Sequence, residues 1–127
     1  MYDIRVSDRI KQVIIVRKDL RLKRAMLAAL VSRASMEFLV SNNISKNPEE
    51  FKVEITRIES DWLGNGSSRI VLSAPSESFL RSLAFKAEML GIASYSVSAN
   101  SDSVDAISLG PDESDKIDEI TGNLKLI

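Results

Sequence analysis

The chain has no cysteine and no histidine among its 127 residues, and only one tryptophan, three prolines and five glycines. Without a thiolate or an imidazole, zinc, haem and iron–sulfur centres lose their usual ligands, so neither a metal nor a cofactor is expected. The same gap removes every Cys–His or Ser–His catalytic pair, because no imidazole exists to serve as base. A disulfide framework is excluded as well. No run of about 18 apolar residues and no basic–apolar–small leader occurs, which predicts a soluble, cytoplasmic chain with no membrane partner. Internal repeats and low-complexity tracts are missing too, although 19 serines thicken the loops.

What is present suits one globular domain: 44% hydrophobic and 28% charged residues, at a length that buries a single core. The net charge of −1 hides an asymmetry. Residues 1–33 carry a balance of +6 and residues 34–127 a balance of −7. That split hints at a basic surface near the N-terminus.

Val13 to Val16 is a continuous apolar run, the signature of a short strand buried on both faces. From Leu22 to about Val40 strong helix formers dominate, apolar around most of the circumference, which predicts a helix packed deeply on the sheet. Asn47, Pro48 and Glu50 supply start signals for a second helix, whose stripe would be Phe51, Ile55, Ile58 and Trp62, ended by Gly64 to Gly66. The alternation of Phe51, Val53 and Ile55 suits a strand equally, but the start signal favours the helix. Arg69 to Ser73 predicts the next buried strand. Ser76 caps a helix with Phe79, Leu80, Leu83, Ala87 and Leu90 on its apolar face, closed by Gly91. Ile92–Val97 and Val104–Leu109 predict two further strands, Asp112–Ile120 a short helix, and Leu124 and Leu126 a last strand or docked tail. Parallel strands joined by helices imply an α/β, three-layer helix–sheet–helix sandwich on a mixed sheet.

Two segments carry a resemblance. One runs from Lys11 through Arg17, Asp19 and Leu20 to Ala28 and Ala29. The other comprises Leu109-Gly110-Pro111, Ile117-Asp118 and Thr121 to Leu126. Ile70–Pro75 and Ala87–Gly91 add a strand–turn–helix unit between them. The chain resembles the type-2 peptidyl-tRNA hydrolases, the archaeal and eukaryotic class, from Lys11 onward. That resemblance implies a single domain over residues 1–127, with 1–10 as an N-terminal extension, and a four-stranded sheet. Val13–Val16 and Ile70–Leu72 are expected at its centre. It also implies hydrolysis of the ester joining a peptide to tRNA.

The family's site draws on a Lys, a Gln and a His on one face of the first helix, and on an Asp-Ala-Gly-x-Thr loop. Here the helix positions fall on Met26, Leu30 and Arg33. Ungapped continuation puts Ala99 at the Asp and Ser103 at the Thr, with Asp102 available if the loop slips. Asp102 and Ser103 are therefore the weak catalytic candidates. Met26 and Leu30 are expected to pack in the core, filling part of the old cavity, with Arg33 at the rim of a shared depression. Ester hydrolysis needs activated water and oxyanion stabilisation, which a Met and a Leu cannot supply. Arg17, Lys18, Arg21, Lys23 and Arg24 crowd the strand-to-helix turn, where α/β folds place ligands, and with Arg33 they form a candidate phosphate- or RNA-binding set. Alternatively they are solvated turn charges, and Arg33 pairs with Glu37. Asp19, a family position, either pairs with these bases or caps the first helix, and Asp118 anchors the tail. Three functional classes follow: a tRNA-binding protein with weak or lost hydrolysis, an active divergent hydrolase of peptidyl- or aminoacyl-tRNA, and a non-catalytic module for a protein partner or homo-oligomer.

Overall fold

The computed structural model describes residues 9–99 and 102–127. Residues 1–8 of the expected N-terminal extension lie outside them, and Ile10 already belongs to the first strand. In chain order the elements are β1 (Ile10–Arg17), a 3-10 turn (Lys18–Leu20), α1 (Arg24–Ser41), α2 (Arg57–Gly64), β2 (Arg69–Ala74), α3 (Glu77–Met89), β3 (Ser94–Val97), β4 (Ala106–Glu113) and α4 (Ser114–Thr121).

The strands form one mixed sheet in the order β2-β1-β4-β3. β1 runs parallel to β2 and antiparallel to β4, which is antiparallel to β3. Strand periodicity then sorts the apolar run of β1 between two layers. Val13 and Ile15 pack with Leu80, Leu83, Ile117 and Ile120 of α3 and α4, while Ile14 and Val16 meet Leu30 and Ala34 of α1. The architecture is a three-layer helix–sheet–helix sandwich.

Two expectations about position need correcting. Ile70–Leu72 is not central: β2 is an edge strand, and β4, with Ile107 and Leu109 fully buried, is the second central strand. The outer side of β2 is taken by the tail, where Leu126 bridges Leu72 and Ser73 N–H donates to the Lys125 carbonyl at 2.9 Å. β4 also runs further than expected, through Gly110 and Pro111 to Glu113, so Asp112 sits in a strand and not at a helix N-terminus. Gly110 adopts φ 84°, and a Cβ there would lie 2.6 Å from the Asp112 nitrogen, so only glycine fits.

The second helix is shorter than its apolar stripe. Asn47 accepts from the Glu49 N–H at 3.0 Å, but that turn goes no further. The following residues are extended, with Val53 bridged to Asn43. A reciprocal capping box between Thr56 and Glu59 starts α2 instead, satisfying two of the helix's free donors. Trp62 is buried edge-on to Phe38 at 5.9 Å, whereas Phe51 and Ile55 are exposed and make no core stripe. In α3 the Ser76 cap, Leu80, Leu83 and Ala87 behave as expected, while Phe79 and Leu90 are exposed. No helix among the described residues is long and apolar enough to cross a membrane.

Candidate nucleic-acid interface

At the C-terminal end of β1 the chain makes a 3-10 turn and enters α1, which leaves a run of cations on one rim of the sheet. Arg17 is the innermost, and its guanidinium is fully engaged. It makes paired hydrogen bonds to Asp19 at 3.0 and 2.9 Å, and reaches Asp105 at 3.4 Å and Glu77 at 3.6 Å. Hydrogen bonding to Asp19 is the main reason its pKa lies above the ordinary arginine value. The same bonds hold the Asp19 carboxyl below the usual range. Glu77 is lowered as well, first by Arg81 and then by the Val104 N–H. Asp19 therefore pairs with a base and does not cap α1, whose N-cap Lys23 makes no side-chain cap bond. Three carboxylates already surround the charge of Arg17, the first cation of the expected phosphate-binding set.

The remaining cations stand differently. Lys18, Arg21, Lys23 and Arg24 are all exposed, and none forms an ion pair among the described residues. Lys18 and Arg21 flank a cleft of about 190 Å³ floored by Val16, Leu22 and Leu27. Arg21 adopts a left-handed backbone with φ 51°, a strained geometry for a residue with a Cβ, of order 1–2 kcal/mol. Its N–H closes the 3-10 turn on the Lys18 carbonyl at 3.2 Å.

On α1 the three family positions separate. Met26 is exposed and contributes nothing to the core, contrary to expectation: it lies in the first turn of the helix, one turn ahead of the buried stripe that begins at Leu30 and continues through Ala34 and Phe38. Leu30 is buried among Ile14, Val16, Val97 and Ala106, so it packs instead of lining a depression. Arg33 donates to the Ser98 carbonyl at 2.8 Å, which ties α1 to the start of the loop after β3. Glu37 accepts from Ser41 and does not receive Arg33. The loop residues converge on a carboxylate that sequence reasoning missed. Asp105, 2% exposed, accepts from Ala99 N–H at 2.7 Å and Ser103 Oγ at 2.8 Å, besides facing Arg17. Asp102 is exposed and makes none of these bonds among the described residues. A usable signal did exist: an acidic residue inside the apolar run Val104–Ile107 must be paired when buried, and Arg17 ends the neighbouring strand.

Asp105 is saturated, with Oδ1 receiving Ser103 and Arg17 and Oδ2 receiving Ala99. It fixes the loop. Ser103 turns its proton inward to Asp105, leaving its lone pairs as acceptors. Far from this loop, the Asp118 carboxylate accepts from Lys11, and its backbone carbonyl takes the Gly122 N–H at 2.9 Å where the tail begins. Among the described residues no group of three or more acidic side chains could hold a metal ion.

The family model described as peptidyl-tRNA hydrolase PTH2 matches residues 10–127. This chain belongs to the type-2 peptidyl-tRNA hydrolase family. A peptidyl-tRNA hydrolase of Haloquadratum walsbyi is 37% identical over 91% of the chain and 98% of its own length. One from Methanopyrus kandleri is 32% identical over 92% of the chain and 97% of its own. The human mitochondrial peptidyl-tRNA hydrolase 2 is 31% identical over 94% of the chain and 65% of its own. As a type-2 peptidyl-tRNA hydrolase fold, the molecule has a basic entry to α1, followed on the helix by Met26 and Leu30.

Proposed function

We propose that the protein binds tRNA through Lys18, Arg21, Lys23, Arg24 and Arg33, and hydrolyses the peptidyl ester weakly or not at all. The observation that carries this reading is the contrast across one turn of chain. Four exposed cations that form no ion pair among the described residues precede or open α1, while the helix positions that follow hold a thioether and a buried leucine. Positive charge and donors suffice for phosphate binding. Ester cleavage also requires a proton acceptor and an oxyanion partner, and removing one such donor typically lowers the rate by ~10²–10³.

The test is a salt titration of tRNA binding beside a turnover assay on peptidyl-tRNA. Four or so phosphate contacts give a slope near −3 to −4 in log K against log salt, roughly a hundredfold loss between 50 and 200 mM. Arg21→Glu and Lys23→Glu should each weaken binding further and flatten that slope. Salt-insensitive binding would refute the electrostatic half, and efficient turnover the catalytic half. A second reading, an active divergent hydrolase, is favoured by the Ser103 hydroxyl held on Asp105. It requires that Ser103→Ala abolish turnover while tRNA binding stays intact.

A further inference from the structure

The two edges of the sheet are finished differently. On β2 the chain's own tail closes the edge, through the Leu126–Leu72 bridge and the Ser73 N–H bond to the Lys125 carbonyl. β3 is the other edge, and no strand or bridge pairs with its outer side among the described residues. Its sequence, Ser-Tyr-Ser-Val, carries none of the charges or prolines that commonly guard an edge. On the inner side, the Gly110 N–H donates to the Ala93 carbonyl and the Asp105 N–H to the Val97 carbonyl. Inward and outward residues alternate in an antiparallel pair, so the N–H and C=O of Ser94 and Ser96 point out of the sheet. Their side chains line a groove of about 260 Å³ between β3 and α3, whose apolar part is Ala84, Phe85, Val104 and Ile107. Phe85 is 63% exposed there, and Met89, one helical turn on, is 71% exposed.

We propose that this groove and the open edge of β3 bind an extended peptide of a partner protein, added antiparallel to β3 as a fifth strand. Its pattern is two aliphatic residues at alternate positions, then a lysine or arginine two residues further toward its C-terminus. The backbone dictates the form of the occupant, because a line of outward N–H and C=O groups matches another extended main chain. Strand alternation gives the spacing: residues two apart on the added strand drop their side chains on the groove side, opposite Ser96 and Ser94. Those serines are small, which leaves the apolar surface of Val104 and Ile107 to be covered by the partner's aliphatic groups. Charge sets the direction. The chain turns back at Gly91 between α3 and β3, so Glu88 stands at the Ser94 end of the groove and Arg81 at the Ser96 end. Arg81 is already held by two bonds to Glu77, at 3.0 and 2.8 Å. Glu88 is exposed and forms no ion pair among the described residues, so it complements a cation at the C-terminal end of an antiparallel peptide. None of the cations assigned to tRNA lines this groove, which makes the inference independent of the proposed function.

Nuclear magnetic resonance on the full chain tests it, with the synthetic peptide acetyl-Thr-Val-Thr-Val-Thr-Lys-Thr-amide. Two control peptides carry glutamate in place of the lysine, or N-methyl groups on both valines. In the free protein the Ser94 and Ser96 amides should exchange readily with solvent, and saturating peptide should slow them about tenfold or more while shifting the β3 resonances. N-methylation removes two main-chain bonds and should weaken binding about tenfold or more. Glutamate for lysine should weaken it about three- to fivefold, and Glu88→Lys, at an exposed helix position, should reverse that preference. Ser94 and Ser96 amides already protected without peptide would overturn the proposal, because a segment of the chain itself or a second copy would then hold the edge. So would equal binding of the N-methylated peptide, which would reduce the site to a greasy groove. A charge preference unchanged in Glu88→Lys, or no shift in β3 at millimolar peptide, would overturn it as well.

Discussion

Replacing Asp105 with alanine tests whether the loop facing α1 is held by one buried carboxylate. The residue is 2% exposed and receives three side-chain or backbone donors, while its own backbone accepts from Arg17 N–H at 3.0 Å and donates to the Val97 carbonyl at 2.9 Å. Removing one partner of a buried ion pair costs about 3–5 kcal/mol when the other charge is stranded. Arg17 is not stranded here, since Asp19 still grips it and Glu77 lies 3.6 Å away. The loss is then mainly the unpaired Ala99 N–H and Ser103 hydroxyl, with a small cavity, or about 2–3 kcal/mol. With a urea m-value of about 1–3 kcal/mol/M, the unfolding midpoint should fall by roughly 0.7–3 M. Asp105→Asn keeps an acceptor on one side and should fall about half as far. Equilibrium urea unfolding followed by tryptophan fluorescence reads both. An alanine variant within about 0.5 kcal/mol of wild type would refute the latch, since changes of that size are typical of featureless surface sites.

Leu30→Ala should destabilise by about 2–4 kcal/mol through a cavity between α1 and the sheet, while Met26→Ala should change little; thermal unfolding separates the two. Thr56→Ala removes one half of the capping box and should cost about 1 kcal/mol by urea unfolding. Asp19 and Glu77 are held below their ordinary values, so their contribution is fully present above the ordinary carboxylate range and is lost as pH falls from there through the lowered folded-state values. Asp19→Asn or Glu77→Gln should therefore flatten the acid limb of the stability–pH curve, and an unchanged limb would refute the pairing. Arg17, raised above its ordinary value, adds no dependence in the accessible range.

Much of this architecture is legible in the sequence because it rests on local patterns. The Val13–Val16 run, the Ser76 cap and the helix formers after Leu22 each specify their element with little help from the rest of the chain. The α2 boundary is harder, because Asn47-Pro48 and Thr56-x-x-Glu59 are competing start signals, and the extended pairing of Val53 with Asn43 decides between them. The place of β2 is hidden because apolar residues mark burial, not sheet order. An edge strand covered by its own tail looks like a central one. At the site, the cations are visible in sequence, but which of them are free is not. Arg17 is neutralised by carboxylates at 19, 77 and 105, a convergence that only the tertiary fold creates.

The sheet order also sets a timetable for synthesis. Val13 pairs with Ile70 on one side and Leu109 on the other, so β1 leaves the ribosome well before either of its partners is made. At ~5–20 residues per second, roughly 5–20 s separate the emergence of β1 from that of β4. During that interval a strand with the continuous apolar run Val13–Val16 has both hydrogen-bonding edges open, which is the condition under which nascent chains aggregate or recruit chaperones.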